Sequence, residues 1–174
     1  MSVATWSSDR GQVWRPYLAP GLVVLLSAGA LAVAFLAQYQ YGLLPCVLCV
    51  WQRWAYGAAL ACGLAGLAVA RRPEARQGAL FLAGLAFLCV TAIAAVHVGV
   101  ELDWWAGSDS CQGADLSSAT SRADLKAAIL NAPVIACDDI PWSLGGISIA
   151  GFNALFSLAF AAMTFWLAFR RPAR

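Results

Sequence analysis

The sequence predicts an all-α protein: an integral membrane four-helix bundle with one long outer loop that carries a short surface helix. Hydrophobic residues make up 61% of its 174 residues and charged residues 11%, whereas a soluble domain is about half apolar and about a quarter charged. Four apolar stretches each reach the roughly 20 residues that a helix needs to cross a bilayer core of about 30 Å. The length suits a single membrane domain over residues 1–174.

The four predicted spans cover about residues 17–37, 44–70, 78–100 and 146–169, and Arg53 is the single charged residue within them. The first stretch is longer than the apolar core of a secretory signal, which has about 7–15 residues. We therefore interpret it as a span, with a cleaved signal as the alternative.

Basic residues flank the predicted spans on one side of the membrane. They precede the first span, lie between the second and third, and follow the fourth: Arg10, Arg15, Arg71, Arg72, Arg76, Arg170, Arg171 and Arg174. The long loop, residues 101–145, is mainly acidic. Because short loops rich in Lys and Arg stay in the cytoplasm, we expect both termini there and the long loop on the other side. A net charge of +2 without a basic stripe does not indicate a nucleic-acid partner.

Residues 117–130 of the long loop have apolar side chains at helical spacing, and Ser121 followed by Asp124 is typical of a helix start. This pattern predicts a short helix lying on the membrane surface. A solvated loop helix remains the alternative.

Cys46 and Cys49 form a Cys-x-x-Cys motif at the outer end of the second span, just after Pro45. Proline favours the first turn of a helix, and the exposed amides of that turn favour a nearby thiolate. The motif therefore predicts a redox-active pair. An inert structural disulfide is the alternative. We predict no metal site, because there is no second such motif and His97 lies far along the chain.

Cys111 and Cys137 lie in the long loop, on the side of the membrane where disulfides persist. Taken alone, this pair would be interpreted as a stabilising staple. Together with Cys46 and Cys49 on the same side, it allows electrons to pass by successive thiol–disulfide exchange. The remaining cysteines lie deep within spans and are predicted to be packing residues: Cys62 and Cys89.

Arg53 follows Cys49 by four residues and shares its helix face. A buried arginine in lipid usually marks a functional site, so we expect it to stabilise a Cys49 thiolate and a reduced electron acceptor. Snorkelling to the interface is the alternative.

His97, with Glu101 one turn later, is placed to donate a hydrogen bond or proton to a quinone carbonyl. Alternatively, Glu101 or water simply satisfies this histidine.

These motifs resemble the DsbB family of disulfide bond formation proteins. The resemblance rests on four stretches: Cys46-Val-Leu-Cys49 followed by Gln52-Arg53, His97-Val-Gly-Val-Glu101, Cys137-Asp138, and residues 144–153. It covers most of the chain and includes the four spans and the second cysteine pair. Many members have Glu where this chain has Gln52, so a possible charge partner of Arg53 is missing.

The resemblance implies a thiol:quinone oxidoreductase of the bacterial inner membrane with a periplasmic loop. Such an enzyme reoxidises a periplasmic thioredoxin-like DsbA-type protein and passes the electrons to ubiquinone or menaquinone. By position, Cys111 would form the mixed disulfide with that partner, Cys137 would connect to Cys46, and Cys49 would face the quinone beside Arg53.

Two other functions stay open at this point. A vitamin K epoxide reductase-like enzyme joins similar cysteine pairs to a quinone, but in that family the loop pair comes first, whereas here Cys46 and Cys49 precede Cys111 and Cys137. A non-enzymatic four-helix membrane scaffold with a structural loop disulfide would need neither Cys49 nor a quinone.

Overall fold

The computed structural model describes residues 5–107, 111, 121–131 and 136–170. Over these residues the chain is mostly helical. In order, its elements are α1 (Thr5–Gln40), α2 (Val47–Ala68), α3 (Pro73–Glu101), α4 (Arg122–Asn131), β1 (Ser143–Leu144), β2 (Ile147–Ser148) and α5 (Ile149–Phe169).

Helix α3 lies at the centre of the bundle. It packs along α2 on one side and along α5 on the other, and α1 packs mainly against α2. The core between these helices is apolar and centres on Phe87, Val90 and Ala83, all fully buried on α3. Tyr56 from α2 and Phe160 from α5 meet the Phe87 ring edge to face. The functional residues on α2 and α3 are therefore held by the most extensively packed part of the molecule.

Three of the described helices are long and apolar enough to cross a membrane: Pro16–Gln40, Pro73–Glu101 and Ile149–Phe169. Their outward faces carry large exposed apolar side chains such as Leu25, Leu82 and Leu155, as lipid contact requires. Helix α2 is not among the three, because its first half carries Gln52 and Arg53. The predicted count of four spans is therefore matched for three helices only.

A β-hairpin precedes α5, so the prediction of a purely helical protein was incomplete. Ser143 pairs with Ser148 and Leu144 with Ile147 in antiparallel register. Gly145 and Gly146 form the turn with φ of 61° and 81°. Both central residues of such a two-residue turn need positive φ, which glycine adopts without steric cost. The sequence placed Gly146 at the start of the fourth span, whereas α5 begins at Ile149 because the two glycines close the hairpin first.

Glycine lets α1 and α2 approach closely. A Cβ atom built on Gly63 of α2 would lie 2.9 Å from a methyl carbon of Val23 and 3.1 Å from the backbone nitrogen of Val24. Such contacts between small residues and a facing helix are a common basis of helix association in lipid. Gly57, two turns earlier, has open space at the same position.

The short loop helix predicted by the sequence is α4. Its start signal is Ser121, whose Oγ accepts a hydrogen bond from the Asp124 amide at 3.1 Å and donates one to the Asp124 carboxylate at 2.7 Å. The first residues of the predicted helix, 117–120, lie outside the described residues, as does Pro133. The location of α4 on the membrane surface stays a prediction.

Candidate redox site

Cys46 is the N-cap of α2, and Cys49 is the third residue of the helix. The Cys46 sulfur accepts a hydrogen bond from the Cys49 backbone amide at 3.3 Å and lies 3.1 Å from the Cys49 sulfur. Both are free thiols. Cys46 therefore occupies the position where Ser or Asp usually caps a helix. Pro45, expected in the first turn, instead lies one residue before the cap.

The surroundings of Cys46 favour its thiolate. Cys46 precedes the first residue of α2, and its pKa is lowered chiefly by a hydrogen bond from the Cys49 thiol; this bond, with a smaller contribution from His97, outweighs the opposing effect of burial. A lowered thiol pKa increases the thiolate fraction, and the thiolate is the species that takes part in exchange.

His97 reaches Cys46 from α3. Its Nε2 atom lies 3.6 Å from the Cys46 sulfur and 3.9 Å from Oε1 of Glu101, and both the His97 and the Glu101 side chains are about 95% shielded from solvent. The sequence placed His97 and Glu101 on one face of a helix, and this contact is present. The sequence did not predict that the imidazole would touch the first cysteine of the motif.

The loop cysteines are joined as the disulfide Cys111–Cys137, and the Cys137 amide donates to the Cys111 carbonyl at 2.9 Å. Both residues are buried in an apolar cluster that also contains Cys46, Leu48 and Val100, with Cys49 packed against it. The structure thus brings the two cysteine pairs together in one place, although the pairs are far apart in sequence. One pair is a disulfide and the other a dithiol.

Arg53 is directed toward α1. Its guanidinium donates to the Gln38 side-chain oxygen and to the Ala34 carbonyl at 3.2 Å, and it lies 5.0 Å from the centre of the Phe35 ring. These two hydrogen bonds use two of the five N–H groups of a guanidinium. The charge is thus fixed one turn below Cys49 by partners at the end of α1, and the sequence analysis had not singled out Gln38.

A buried hydrogen-bonded chain connects His97 to the centre of the bundle. The Gln52 Nε2 atom lies 3.4 Å from Nδ1 of His97, Asn153 Nδ2 donates to Gln52 Oε1 at 2.7 Å, and the Tyr56 hydroxyl donates to Asn153 Oδ1 at 2.7 Å. Gln52 had been noted only as a departure from a family pattern, and Asn153 only as part of a familiar stretch. An amide in the first turns of an otherwise apolar span is the signal that could have identified Asn153.

Glu101 links the end of α3 to the start of α5. The Ser148 hydroxyl donates to its carboxylate, and the same oxygen caps α5 by accepting from the Gly151 amide at 3.0 Å. Glu101 therefore has a serine on one side and His97 on the other. The start of α5, which carries Asn153, is in this way tied to the helix that carries His97.

Comparison with known proteins agrees with this geometry. The family model described as "Disulfide bond formation protein DsbB" matches residues 17–167, which is most of the chain. The chain belongs to the DsbB family. Proteins named "Disulfide bond formation protein B" from Neisseria meningitidis serogroup A, N. meningitidis serogroup B and N. gonorrhoeae are each 34% identical to it over 83 residues. These matches cover 48% of the chain, and the chain spans about half the length of the relatives. No solved structure matches.

Membership of the DsbB family implies a quinone, so the site has to offer polar groups for the quinone oxygens beside a reactive sulfur. The Arg53 guanidinium and the His97 Nε2 atom both occur next to the cysteine motif. Each can donate a hydrogen bond to a carbonyl oxygen. The residues present therefore fit a quinone, and those that would hold it are Arg53 and His97, with the Cys49 sulfur one helical turn before Arg53 on α2.

Proposed function

We propose that this chain is a thiol:quinone oxidoreductase of the bacterial inner membrane. It would reoxidise a periplasmic thioredoxin-like protein of the DsbA type and pass the electrons to ubiquinone or menaquinone. The observation that supports this most directly is the shared apolar cluster, in which the Cys111–Cys137 disulfide packs against the Cys46–Cys49 dithiol. A structural staple alone would not require a free, hydrogen-bonded dithiol beside it.

The proposed arrangement in the membrane has four spans. Helix α2 packs against α1 and α3, and its polar side chains Gln52 and Arg53 bond to residues of those helices, which would let α2 cross the bilayer within the bundle. Both termini would face the cytoplasm and the loop with Cys111 and Cys137 the periplasm, because the basic residues cluster at the opposite end. Lipid, the quinone and the thiol protein are then the expected partners.

In this proposal, electrons pass from the partner to the loop pair and then to the membrane pair by thiol–disulfide exchange. A partner thiolate attacks Cys111, Cys137 leaves as a thiolate, and the second partner thiol then releases Cys111, so that the partner is oxidised and the loop pair reduced. Cys137 next attacks Cys46 of a Cys46–Cys49 disulfide, which releases the Cys49 thiolate. Attack of Cys111 on Cys137 restores the loop disulfide and leaves the membrane dithiol. The pairing in the structure, a bonded loop pair and a free membrane pair, corresponds to this last state.

A bound quinone would take up the two electrons and two protons that the dithiol gives away. Cys46 and Cys49 then re-form their disulfide, which needs their sulfurs adjacent, and they are 3.1 Å apart. The positive charge of Arg53 would stabilise negative charge that develops next to Cys49. His97 would deliver a proton from Nε2.

Gln52 is a positioning residue in this proposal. Its Oε1 is occupied by the Asn153 amide, so its NH₂ group is directed at Nδ1 of His97. A neutral imidazole that accepts at Nδ1 carries its proton on Nε2. The Nε2 proton then faces the Cys46 sulfur, where a donor is needed.

The deciding experiment measures quinone reduction by the purified full-length protein, with a reduced thioredoxin-like protein as the electron donor. We expect each of Cys46→Ser, Cys49→Ser, Cys111→Ser and Cys137→Ser to abolish turnover. The matched control is Cys62→Ser combined with Cys89→Ser, which should keep turnover within about twofold because both are inert thiols away from the site. Normal turnover by Cys49→Ser would exclude the proposed function and favour a membrane scaffold.

A further inference from the structure

Three metal-ligating atoms meet at the start of α2. The sulfurs of Cys46 and Cys49 and the Nε2 atom of His97 all lie within 4.8 Å of one another, and among the described residues this is the one such group of three or more. The absence of a metal site was predicted from the distance of His97 along the chain. The fold removes that distance, because α3 runs antiparallel to α2 and returns His97 to Cys46.

The spacing of the Cys46 sulfur and the His97 Nε2 atom suits a zinc ion, and the sulfur pair needs only a small opening. Tetrahedral zinc with Zn–S of about 2.3 Å and Zn–N of about 2.0–2.1 Å places its sulfurs about 3.8 Å apart and sulfur and nitrogen about 3.6 Å apart. The Cys46–His97 distance is 3.6 Å and the distance between the two sulfurs is 3.1 Å. Rotation of the Cys49 side chain that moves its sulfur by about 0.7 Å would open the sulfur pair enough to admit the ion.

Charge also favours an ion here. Two thiolates and one neutral imidazole carry a charge of −2, which a divalent cation cancels, so the loaded cluster is neutral in its apolar surroundings. Placing an unpaired thiolate in the same cluster would cost far more. Two cysteines, one histidine and an open fourth position form a donor set that zinc enzymes use. Glu101 Oε1 lies beside this donor set, 3.9 Å from the His97 Nε2 atom.

We propose that the reduced form of this protein binds one thiophilic divalent cation, such as Zn²⁺, between Cys46, Cys49 and His97, and that the bound ion blocks reoxidation of the dithiol. Binding displaces any proton that the two sulfurs still carry and changes no oxidation state. The Cys46–Cys49 disulfide has no thiolate to offer, so the site exists in one redox state only. The blocking part of the proposal rests on the proposed function, whereas the binding part does not.

The neighbour of the second His97 ring nitrogen, Gln52, is compatible with a metal at Nε2. A metal at Nε2 requires the imidazole proton to lie on Nδ1, where Gln52 is the adjacent side chain. Half-turns of both the Gln52 and the Asn153 amides would present the Gln52 oxygen to that proton. The Asn153 oxygen would then accept from the Gln52 NH₂ group, and the Tyr56 hydroxyl oxygen would accept from the Asn153 NH₂ group. Histidine ligands of metals are usually held by such a hydrogen bond from the second ring nitrogen.

The test is a metal titration of the full-length protein in detergent, reduced and then freed of reductant without oxygen. Zn²⁺ is titrated against a chromophoric chelator, and Co²⁺ is used in parallel because tetrahedral thiolate coordination gives an intense visible spectrum. We expect one equivalent of metal per chain and at least tenfold weaker binding after oxidation. Cys49→Ser and His97→Ala should each weaken binding about tenfold or more, and Cys89→Ser should leave it unchanged.

Reduction also converts the Cys111–Cys137 disulfide to two thiols, which could bind metal themselves. The titration is therefore repeated on the Cys111→Ala/Cys137→Ala variant. Metal binding that persists there and disappears on adding Cys49→Ser supports the site. Binding that is equal in reduced and oxidised protein, or unaffected by both Cys49→Ser and His97→Ala, overturns it.

A second arm separates the inference from the proposed function. Zn²⁺ at the measured dissociation constant should halve quinone reduction, and a chelator should restore it. Metal binding by a protein without quinone turnover would leave the site standing and remove the function. A protein that reduces quinone, binds no Zn²⁺ and is not slowed by it would keep the proposed function and remove the metal site.

Discussion

Gln52 and His97, which are 45 residues apart, are joined by a buried contact of 3.4 Å between the Gln52 side-chain nitrogen and the histidine Nδ1 atom. The contact ties α2 to α3 directly behind the Cys46 sulfur. It also continues through Asn153 to Tyr56, so three helices share one polar chain inside an otherwise apolar bundle. The orientation of the one histidine therefore depends on residues outside the two cysteine pairs.

Replacing Gln52 with Leu should harm both stability and electron transfer. His97 Nδ1 and the Asn153 amide would each lose a partner, and an unpaired buried polar group costs about 1–3 kcal/mol. We expect unfolding in detergent at lower temperature and a quinone-reduction rate reduced several-fold. Gln77→Leu, the same change at an exposed position of α3, is the control and should alter neither. A Gln52→Leu protein with the stability and rate of the wild type would remove the positioning role.

Arg53→Lys should raise the KM for quinone about tenfold while changing stability by less than about 1 kcal/mol. A lysine keeps the charge but loses the fork that reaches Gln38 and the Ala34 carbonyl together. Steady-state kinetics over a range of quinone concentrations separate the effect on KM from that on kcat. Arg71→Lys, in the turn that follows the other end of α2, is the matched control. An unchanged KM in Arg53→Lys would mean that the arginine serves only to hold α1 against α2.

Ser148→Ala should destabilise the protein by about 1–3 kcal/mol. The change removes the cap of α5, which is worth about 1 kcal/mol, and the donor to the buried Glu101 carboxylate. Thermal unfolding gives the measurement, and Ser143→Ala in the exposed strand of the hairpin gives the control. Equal unfolding temperatures for the two variants would show that the link between α3 and α5 contributes nothing.

Gly63→Ala should lower stability by about 1–3 kcal/mol, because the added methyl group would meet Val23 and the backbone of Val24 at about 3 Å. Gly57→Ala lies on the same helix in open space and should be neutral or stabilising by up to about 1 kcal/mol. Unfolding of the two variants side by side tests the close approach of α1 and α2. The reverse order of stability would contradict it.

Local patterns were enough for much of this protein. Apolar runs located α1, α3 and α5, and the Cys46–Cys49 motif after Pro45 predicted a cysteine pair at a helix start, where the structure has it. The family followed from short motifs around those residues. Hydropathy is less decisive for α2, because Gln52 and Arg53 lower the mean over its first half. The side chains of Gln52 and Arg53 form hydrogen bonds to residues of other helices. Those residues are distant in sequence, so hydropathy averaged over a local segment cannot take them into account.

The sequence by itself determined that most of this chain is apolar helix, that it carries two cysteine pairs besides Cys62 and Cys89, and that Arg53 follows the first pair by one helical turn. Tertiary structure alone decided which atoms meet: the His97 imidazole at the Cys46 sulfur, the Asn153 amide at Gln52, and the loop disulfide against the dithiol. Hydropathy and motif spacing act over a few helical turns. Contacts between helices depend on the rotation and height of each helix, which are fixed only when every helix packs at once.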